Sequence, residues 1–592
     1  MDALDEQAAD RTMRSLASLM QISHGKDAVP DAAQRDYILA HTLIRRIEPQ
    51  HYDPDAVLHQ RRLRIAASAE RPVNLRVPTR DIARGVPPGS IVTGTDNDLS
   101  ELRLQDDLEI LVPGVQSSRV AAAGQLPTGF RPERLYPSRN HPRGLQLSIF
   151  AASDVMGDLG IELSQIKNEI RPDEIATYAG CAFGQLDGNG IGGMIRAPLI
   201  DKRVTSKQLP LGLVDMPGDF VSAYVLGNLG RAGCNVGACA TFLYNLGLAV
   251  DDIRSGRSRM VLVGTAEAPI TSDITEGFYA MRAIAGDRQS REFGIGGTLD
   301  YSTICRPFAE NHGFTLAESA VFMVLMDDEL ALSLGARILG AAADVFLARD
   351  GFKASISQPG AGNYLTMGKA VATADAILGT RALRNRTYVH AHGTGTPVNR
   401  ITESHVLDEI ASAFSIGTWP VAAIKCYIGH SMSSASGDQL AAALGYWQDG
   451  IIPGITTIDR IADDVHRKNL EFLLDHRDIG PERMQAVFVN SKGFGGNNAT
   501  AVILAPDLVH RMLVKKHGKK AYLAYAEKLE QTVARHMHHD EACIDGSWRP
   551  VYLVDEDIVG GEDMEIDAGG IRIPGYRQKI SLDVDNPYAD MT

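Results

Sequence analysis

The sequence predicts an α/β protein with covered sheets, and three observations carry that prediction. From about residue 89 to about residue 506 the chain alternates strand-like and helix-like segments, as layered α/β folds do. The strand-like segments are near-continuous apolar runs, the pattern of strands buried on both faces. With 592 residues, 44% of them hydrophobic and 22% charged, the chain has ample material for a large core.

Residues 1–87 read as a charged helical extension. Tyr37, Ile38, His41 and Leu43 lie on one amphipathic face, and Pro54 and Pro72 punctuate the stretch beyond them. "GSIVTG" (Gly89 to Gly94) is the first expected buried strand. Further strands are expected in "RMVLVGTAEA" (Arg259 to Ala268), "AVFMVLM" (Ala320 to Met326), "ARILGAAADV" (Ala336 to Val345) and "QAVFVNS" (Gln485 to Ser491). A helix is expected from Ala240 to Ser255, with Leu243, Leu246, Val250 and Ile253 at helical spacing and Gly256 as its stop. Beyond Pro506 a basic amphipathic helical stretch leads into an acidic segment, Asp555 to Asp567, so residues 507–592 read as a C-terminal extension, part packed and part loose.

Composition excludes several classes. A net charge of −14 argues against nucleic-acid binding, which needs a basic footprint. Six scattered cysteines form neither a disulfide framework nor a CxxC metal site, and they suit a reducing cytoplasm. The N-terminus lacks a signal-peptide apolar region, and no stretch approaches ~18 uninterrupted apolar residues, so no membrane span is expected.

Four segments carry chemistry. In "GCNVGACAT" (Gly233 to Thr241), Cys239 precedes the expected helix, whose N-terminal N–H groups and dipole would lower a thiol pKa. Read locally, Cys239 is either a buried filler or an exposed nucleophile; Cys234 is a filler. In "YVHAHGTGTPVNRITES" (Tyr388 to Ser404) a strand ends at His392 and opens a Gly/Thr loop, which makes His392 an acid/base candidate. His390 and His392 alternate as a metal pair would, but no third ligand is close in sequence, and no metal site is expected. In "AIKCYIGHSMSSASGDQLAAAL" (Ala423 to Leu444), Lys425 lies five residues before His430, which should be neutral at a helix N-terminus. In "NSKGFGGNNATAVIL" (Asn490 to Leu504) a strand runs into Gly493-Phe494-Gly495-Gly496, whose exposed N–H groups could serve an oxyanion hole.

Taken as an ordered set, these segments, with "RPFAENHGFTLAES" (Arg306 to Ser319), resemble the β-ketoacyl-ACP synthases, condensing enzymes of the thiolase superfamily. The resemblance covers about residues 88–506, and "AHGTGTP" and "GFGG" match nearly letter for letter. It implies a thiolase-like fold, two similar halves packed as αβαβα layers. The first, 88–335, would carry Cys239 and the second, 336–506, the two histidines. It further implies decarboxylative Claisen condensation of an acyl primer with a malonyl thioester in fatty acid biosynthesis. In that reading Cys239 is acylated, His392 and His430 stabilise the enolate, and Lys425 organises the site. The N–H groups of Cys239 and Phe494 form the oxyanion hole, Phe494 is the gate, Thr394 and Thr396 hold the pantetheine arm, and Glu403 is structural. Non-decarboxylating thiolases carry a second cysteine in the last glycine-rich loop, and "GFGGNNAT" has none.

The implied partners are acyl carrier protein, acyl-CoA and a second copy of the chain as a homodimer. No cofactor is implied beyond the phosphopantetheine that carries the acyl groups. An acidic carrier would dock on one of three basic clusters: Arg131, Arg134, Arg139 and Arg143; Lys202, Arg203 and Lys207; or Lys515, Lys516, Lys519 and Lys520. Departures from the family are Lys492, where phenylalanine is usual, Phe242 soon after the cysteine, and the two long extensions. They point to the long bacterial type that initiates synthesis from acetyl-CoA and malonyl-ACP, with Lys492 facing either the gate or solvent. The alternatives are a synthase of polyketide or specialised lipid assembly and a non-catalytic chain-length partner, the last disfavoured by the intact residue set.

Overall fold

The structure is a computed structural model and describes residues 3–22, 29–293, 297–351, 360–555 and 559–591. Two sheets organise the main unit. The first contains β1 (Ile175–Gly180), β2 (Ala232–Gly233), β3 (Met260–Glu267) and β4 (Ser319–Met326), in the order β4-β3-β1-β2. The second contains β5 (Ala341–Arg349), β6 (Thr387–His390), β7 (Trp419–Ala422), β8 (Leu470–Phe472), β9 (Ala486–Gly493) and β10 (Asn497–Leu504), in the order β5-β10-β9-β6-β7-β8. Each sheet is parallel at its centre and turns antiparallel at one side, where β4 pairs with β3, and β10 with β9 and β5.

Six helices matter for the layering: α1 (Arg143–Asp158), α2 (Thr241–Arg254), α3 (Gly362–Leu378), α4 (Pro397–Ala413), α5 (Ala435–Asp449) and α6 (Pro506–Ile544). α2 and α5 lie between the sheets, each touching both of them, while α1 covers the outer face of the first sheet and α3 that of the second. The result is the αβαβα sandwich that the family resemblance implies. Its strands show why the apolar runs are continuous. Val261 and Val263 face the helices between the sheets, whereas Met260 and Leu262 face the outer core with Leu145 and Ile149 of α1. Likewise Val487 and Val489 point inward, and Phe488 outward to Met367 and Val371 of α3. A strand buried on both faces has no solvent side on which to place a polar residue.

The terminal regions depart from expectation. Helices cover Glu6–Leu19 and Ala32–Ala40, but beyond them the expected helical extension contains the strands Leu43–Arg46, Val57–Ile65 and Val73–Pro78. Glu48–Arg119 is a compact unit of its own. Within it Val57–Ile65 pairs antiparallel with Leu108–Gln116, and Leu99–Leu104 lies between Val73–Pro78 and Ser90–Thr95. "GSIVTG" is thus a strand, but a largely exposed one. Leu99–Leu104 alternates strictly between exposed and buried positions, the signature of a sheet with one covered face. At the other end, α6 breaks at Gly518 (φ 80°, ψ 161°). It packs back on both halves: His536 lies 3.0 Å from Asp158 at the end of α1, and Tyr525 donates to the Ala336 carbonyl (3.0 Å). Beyond α6 the chain still touches the core, Leu553 donating to the Tyr224 carbonyl (2.8 Å). Within the expected acidic segment, residues 556–558 lie outside the described residues.

Candidate active site

The residues singled out from four distant segments converge between the halves. Cys239 sits in a single 3-10 turn, Ala238–Ala240, that leads directly into α2. Ala238 takes φ 52°, a left-handed conformation unusual for a residue with a Cβ. The turn is held from the opposite half: Ser491 Oγ donates to the Cys239 carbonyl (3.0 Å). Gly493 approaches so closely that a Cβ there would stand 2.3 Å from the Gly237 carbonyl oxygen. Glycine at 493 is required by this contact, and Gly495 and Gly496 follow at φ 82° and 76° to turn β9 into β10.

The backbone N–H groups of Phe494 and of Cys239 itself favour the charged form of the Cys239 sulfur. The helix-terminus expectation of a lowered thiol pKa does not hold. Burial dominates and pushes the Cys239 thiol up to about 12, against the pull of Lys425 and these two amides. Around the sulfur lies an apolar cluster of Phe278, Phe314, Ile284 and Met432, with Phe183 and Phe494 packed against it.

His392 and His430 stand ring to ring, centroids 5.4 Å apart at 86°. Both are buried, and both are held well below the usual imidazole range, first by burial and then by Lys425. For His430 the neutral form is therefore correct, but burial and Lys425 cause it. The ring lies five residues before α5, not at its N-terminus. His430 is positioned by its own amide, which donates to the Thr315 carbonyl (2.6 Å), and by Phe314 edge-on at 5.1 Å. The His392 loop is tied down by Glu403 of α4, which accepts from the amides of His392 (2.6 Å) and Gly393 (2.9 Å). Glu403 also accepts from Asn399 (2.9 Å) and Asn490 (2.7 Å), so four donors surround one fully buried carboxylate. Thr394 and Thr396 hydroxyls face each other at 3.0 Å at the start of α4.

Lys425 is 1% exposed and donates to the His392 carbonyl (2.6 Å) and to Gln439 Oε1 (3.2 Å). Burial lowers its pKa to about 8, with Glu403 opposing. Lys492 is part-buried. Its ammonium turns to Thr402 of α4 (3.1 Å), where burial lowers its pKa, and it adds to the positive field that keeps His392 neutral.

Sequence reasoning missed three groups. Gln439 of α5 binds three carbonyls, of His390 (3.0 Å), Ala391 (2.7 Å) and Asn490 (3.0 Å), while holding Lys425. Its signal was a polar residue in the small-residue helix nine positions after His430. Asn490 lies three positions before Gly493, in the segment whose glycines drew notice instead. Glu267 ends β3, accepts from the Ala182 amide (2.8 Å) and from Ser433, and burial raises its pKa to about 7. His390 stays apart from this chemistry, buried edge-on against Tyr388 with burial lowering its pKa to about 3. Among the basic clusters, Arg143 drops out as a docking residue: it forms a two-pronged pair with the buried Glu318 (2.6 and 2.9 Å). Lys516 is engaged with Asp328. Lys202, Arg203 and Lys207 are exposed.

Comparison with known proteins bears directly on this arrangement. The β-ketoacyl synthase N-terminal domain matches residues 143–331, and the β-ketoacyl synthase C-terminal domain matches residues 340–459. The chain is 44% identical, over its whole length and 95% of the relative's, to the β-ketoacyl-[acyl-carrier-protein] synthase FabY of Pseudomonas aeruginosa. The chain belongs to the β-ketoacyl synthase family. As a β-ketoacyl synthase it is an acyl-transferring condensing enzyme of fatty acid biosynthesis. The crystal structure of the noncanonical ketosynthase FabY from P. aeruginosa superposes with a TM-score of 0.96 at 43% identity, covering 100% of this chain and 94% of that one. The thiolase-like ketosynthase fold is thereby established. A shorter relative, 3-oxoacyl-[acyl-carrier-protein] synthase 2 of Staphylococcus aureus, is 29% identical over 62% of this chain and 84% of its own. Among the described residues no helix is long and apolar enough to cross a membrane.

Proposed function

We propose that this β-ketoacyl synthase condenses a short acyl primer with malonyl-ACP through an acyl group on Cys239, and so initiates chains. The observation that carries the reading is the meeting, between two halves, of a buried thiol, two backbone N–H groups that favour its thiolate, and two neutral imidazoles beside one buried ammonium. In the first step the Cys239 sulfur attacks the primer thioester carbonyl, and the thiol proton passes to the departing carrier thiolate. The Phe494 and Cys239 amides receive the developing oxyanion. In the second step malonyl thioester releases CO2, and the enolate oxygen is held by His392 and His430. The enolate carbon then attacks the Cys239 thioester, and the sulfur leaves as a thiolate that takes a proton from solvent. Neutral imidazoles suit this step because it demands hydrogen-bond donation to an oxyanion more than a strong base.

Lys425 works through the His392 carbonyl and its field, and Glu403 positions the loop. Thr394 and Thr396 face the pantetheine arm. The reaction so written uses no cofactor beyond the carrier's phosphopantetheine. Crowding of Phe183, Phe278, Phe314 and Phe494 around Cys239 supports a short primer such as acetyl-CoA. The exposed Lys202, Arg203 and Lys207 fit an acidic carrier protein. The open edge of the first sheet at β2 fits a second copy in a homodimer, since an unpaired edge is a template for pairing. The free cysteines suit the cytoplasm.

The test is intact-protein mass spectrometry after incubation with acyl-CoA and acyl-ACP donors of increasing length. Acetyl loading on Cys239 that outpaces decanoyl loading is expected, and the reverse order overturns the initiating role. Charge reversal at Lys202, Arg203 and Lys207 should raise KM for malonyl-ACP and flatten its salt dependence. An unchanged KM removes that docking site.

A further inference from the structure

Far from the catalytic centre, α6 and α1 bring together a second set of reactive side chains. His539 and Cys543 are four residues apart on α6, hence on one helical face. Across from them stands Asp154 of α1. His539 Nε2 lies 3.0 Å from Asp154 Oδ1, Cys543 Sγ lies 3.5 Å from His539 Nε2, and Cys543 Sγ lies 3.8 Å from Asp154 Oδ1. The geometry points to a zinc-class divalent metal site built from Asp154, His539 and Cys543 that clamps the C-terminal extension to the first half of the core.

The spacing is that of a coordination shell. Zinc binds nitrogen and oxygen at about 2.0–2.1 Å and thiolate sulfur at about 2.3 Å, so a tetrahedron of such ligands has edges of about 3.3–3.6 Å. The three observed separations bracket those edges. The donor set is one imidazole, one thiolate and one carboxylate, the mixture that borderline metals select.

The surroundings favour a cation. No lysine or arginine pairs with Asp154 among the described residues, and its side chain is half exposed, which leaves a route for the ion and for a water as fourth ligand. The nearby Asp158 and Asp540 are matched by Arg337 and Arg11 respectively. Without an ion, the Cys543 thiol rests between the Asp154 carboxylate and the His539 ring nitrogen. On metal binding the Sγ–H bond breaks, its proton leaves to solvent, and an Sγ–metal bond forms. The ring of Trp548, edge-on to both His539 (5.4 Å) and Phe150 (5.2 Å), walls the imidazole on one side and supports its orientation.

The test uses the full chain carrying Cys239→Ala, so that the catalytic cysteine cannot contribute ligands, stripped with chelator and titrated with Co2+. The expected result is one equivalent bound, with a thiolate-to-cobalt charge-transfer band and the visible bands of a tetrahedral site. Cys543→Ser should abolish the charge-transfer band, and His539→Ala should weaken binding about 10–100-fold. No band, or a band that survives Cys543→Ser, overturns the site. Wild-type protein supplies a measurement that needs no folded variant: Zn2+ should slow alkylation of Cys543 about tenfold or more, read by peptide mass spectrometry. Equal alkylation with and without Zn2+ also overturns it.

Discussion

The two central helices, α2 and α5, invite comparison because each is entered through a turn that presents one reactive residue. The α2 turn presents Cys239 from a strained Ala238, while the turn before α5 presents His430 after Gly429, also at positive φ (80°). Burial acts on both in the same direction, toward the uncharged form, and so has opposite consequences for the pKa: the thiol is pushed up and the imidazole down. The second half adds a fully buried cation, Lys425, held by Gln439 and a backbone carbonyl. The lesson is that one architecture, used twice, makes a resting centre of neutral groups under a positive field set mainly by Lys425. In the proposed reaction that field acts where negative charge develops.

Removing one side of the comparison should separate the half-reactions. Cys239→Ala should lower condensation by on the order of a million-fold, as loss of a covalent nucleophile does, with no acyl adduct in the mass spectrum. Full activity in that variant would refute the catalytic assignment. On the other side, His392→Gln or His430→Gln should lower malonyl decarboxylation roughly 10²–10³-fold while Cys239 still loads primer. If loading collapses equally, the two halves do not divide the chemistry as described.

Lys425 sharpens the comparison through pH. Its lowered pKa of about 8 means the ammonium is present below that value and lost above it. Decarboxylation in the wild type should therefore fall as pH rises through about 8, and Lys425→Met should flatten that limb and lower the plateau. Cys239 alkylation should meanwhile rise with pH and be slower in Lys425→Met, because the ammonium favours the thiolate.

The smallest effect is on stability. Glu267 has its pKa raised from 4.5 to about 7, so its contribution to folding is fully present below 4.5 and lost as pH rises through about 7. The loss amounts to about 3 kcal/mol, taking about 1.4 kcal/mol for each unit of pKa. Glu267→Gln escapes it and should gain stability over wild type at pH 8 but not at pH 4, measured by denaturant unfolding. Equal effects at both pH values would place the carboxylate in an already satisfied, ionised state.

Legibility in the sequence tracks how local each cause is. The strands β3, β4 and β9 announce themselves because burial on both faces leaves consecutive apolar residues. The Gly/Thr loop after His392 and the glycines around Phe494 are visible because tight turns and close backbone approach admit few residue types. The β-unit Glu48–Arg119 is hidden because its strands are charged and mostly exposed, so neither helical nor strand periodicity stands out. Gln439 and Glu267 escape notice because a single polar residue in an apolar element reveals nothing of the carbonyls, amides and hydroxyls it will meet.

By itself, then, the sequence determined the layered α/β class, the family, and the identity of Cys239, Lys425, His392, His430 and Phe494 as candidates, since residue type and local order suffice for these. Only the tertiary structure decided their electrostatic state. The helix-terminus argument for Cys239 is outweighed by burial, Lys492 turns toward α4, and Arg143 disappears beneath Glu318. The pairing of His539 and Cys543 with Asp154, 385 positions from His539, likewise exists only in the fold. Desolvation and charge pairing depend on which distant groups the packing brings within a few ångströms, and no stretch of local sequence encodes that.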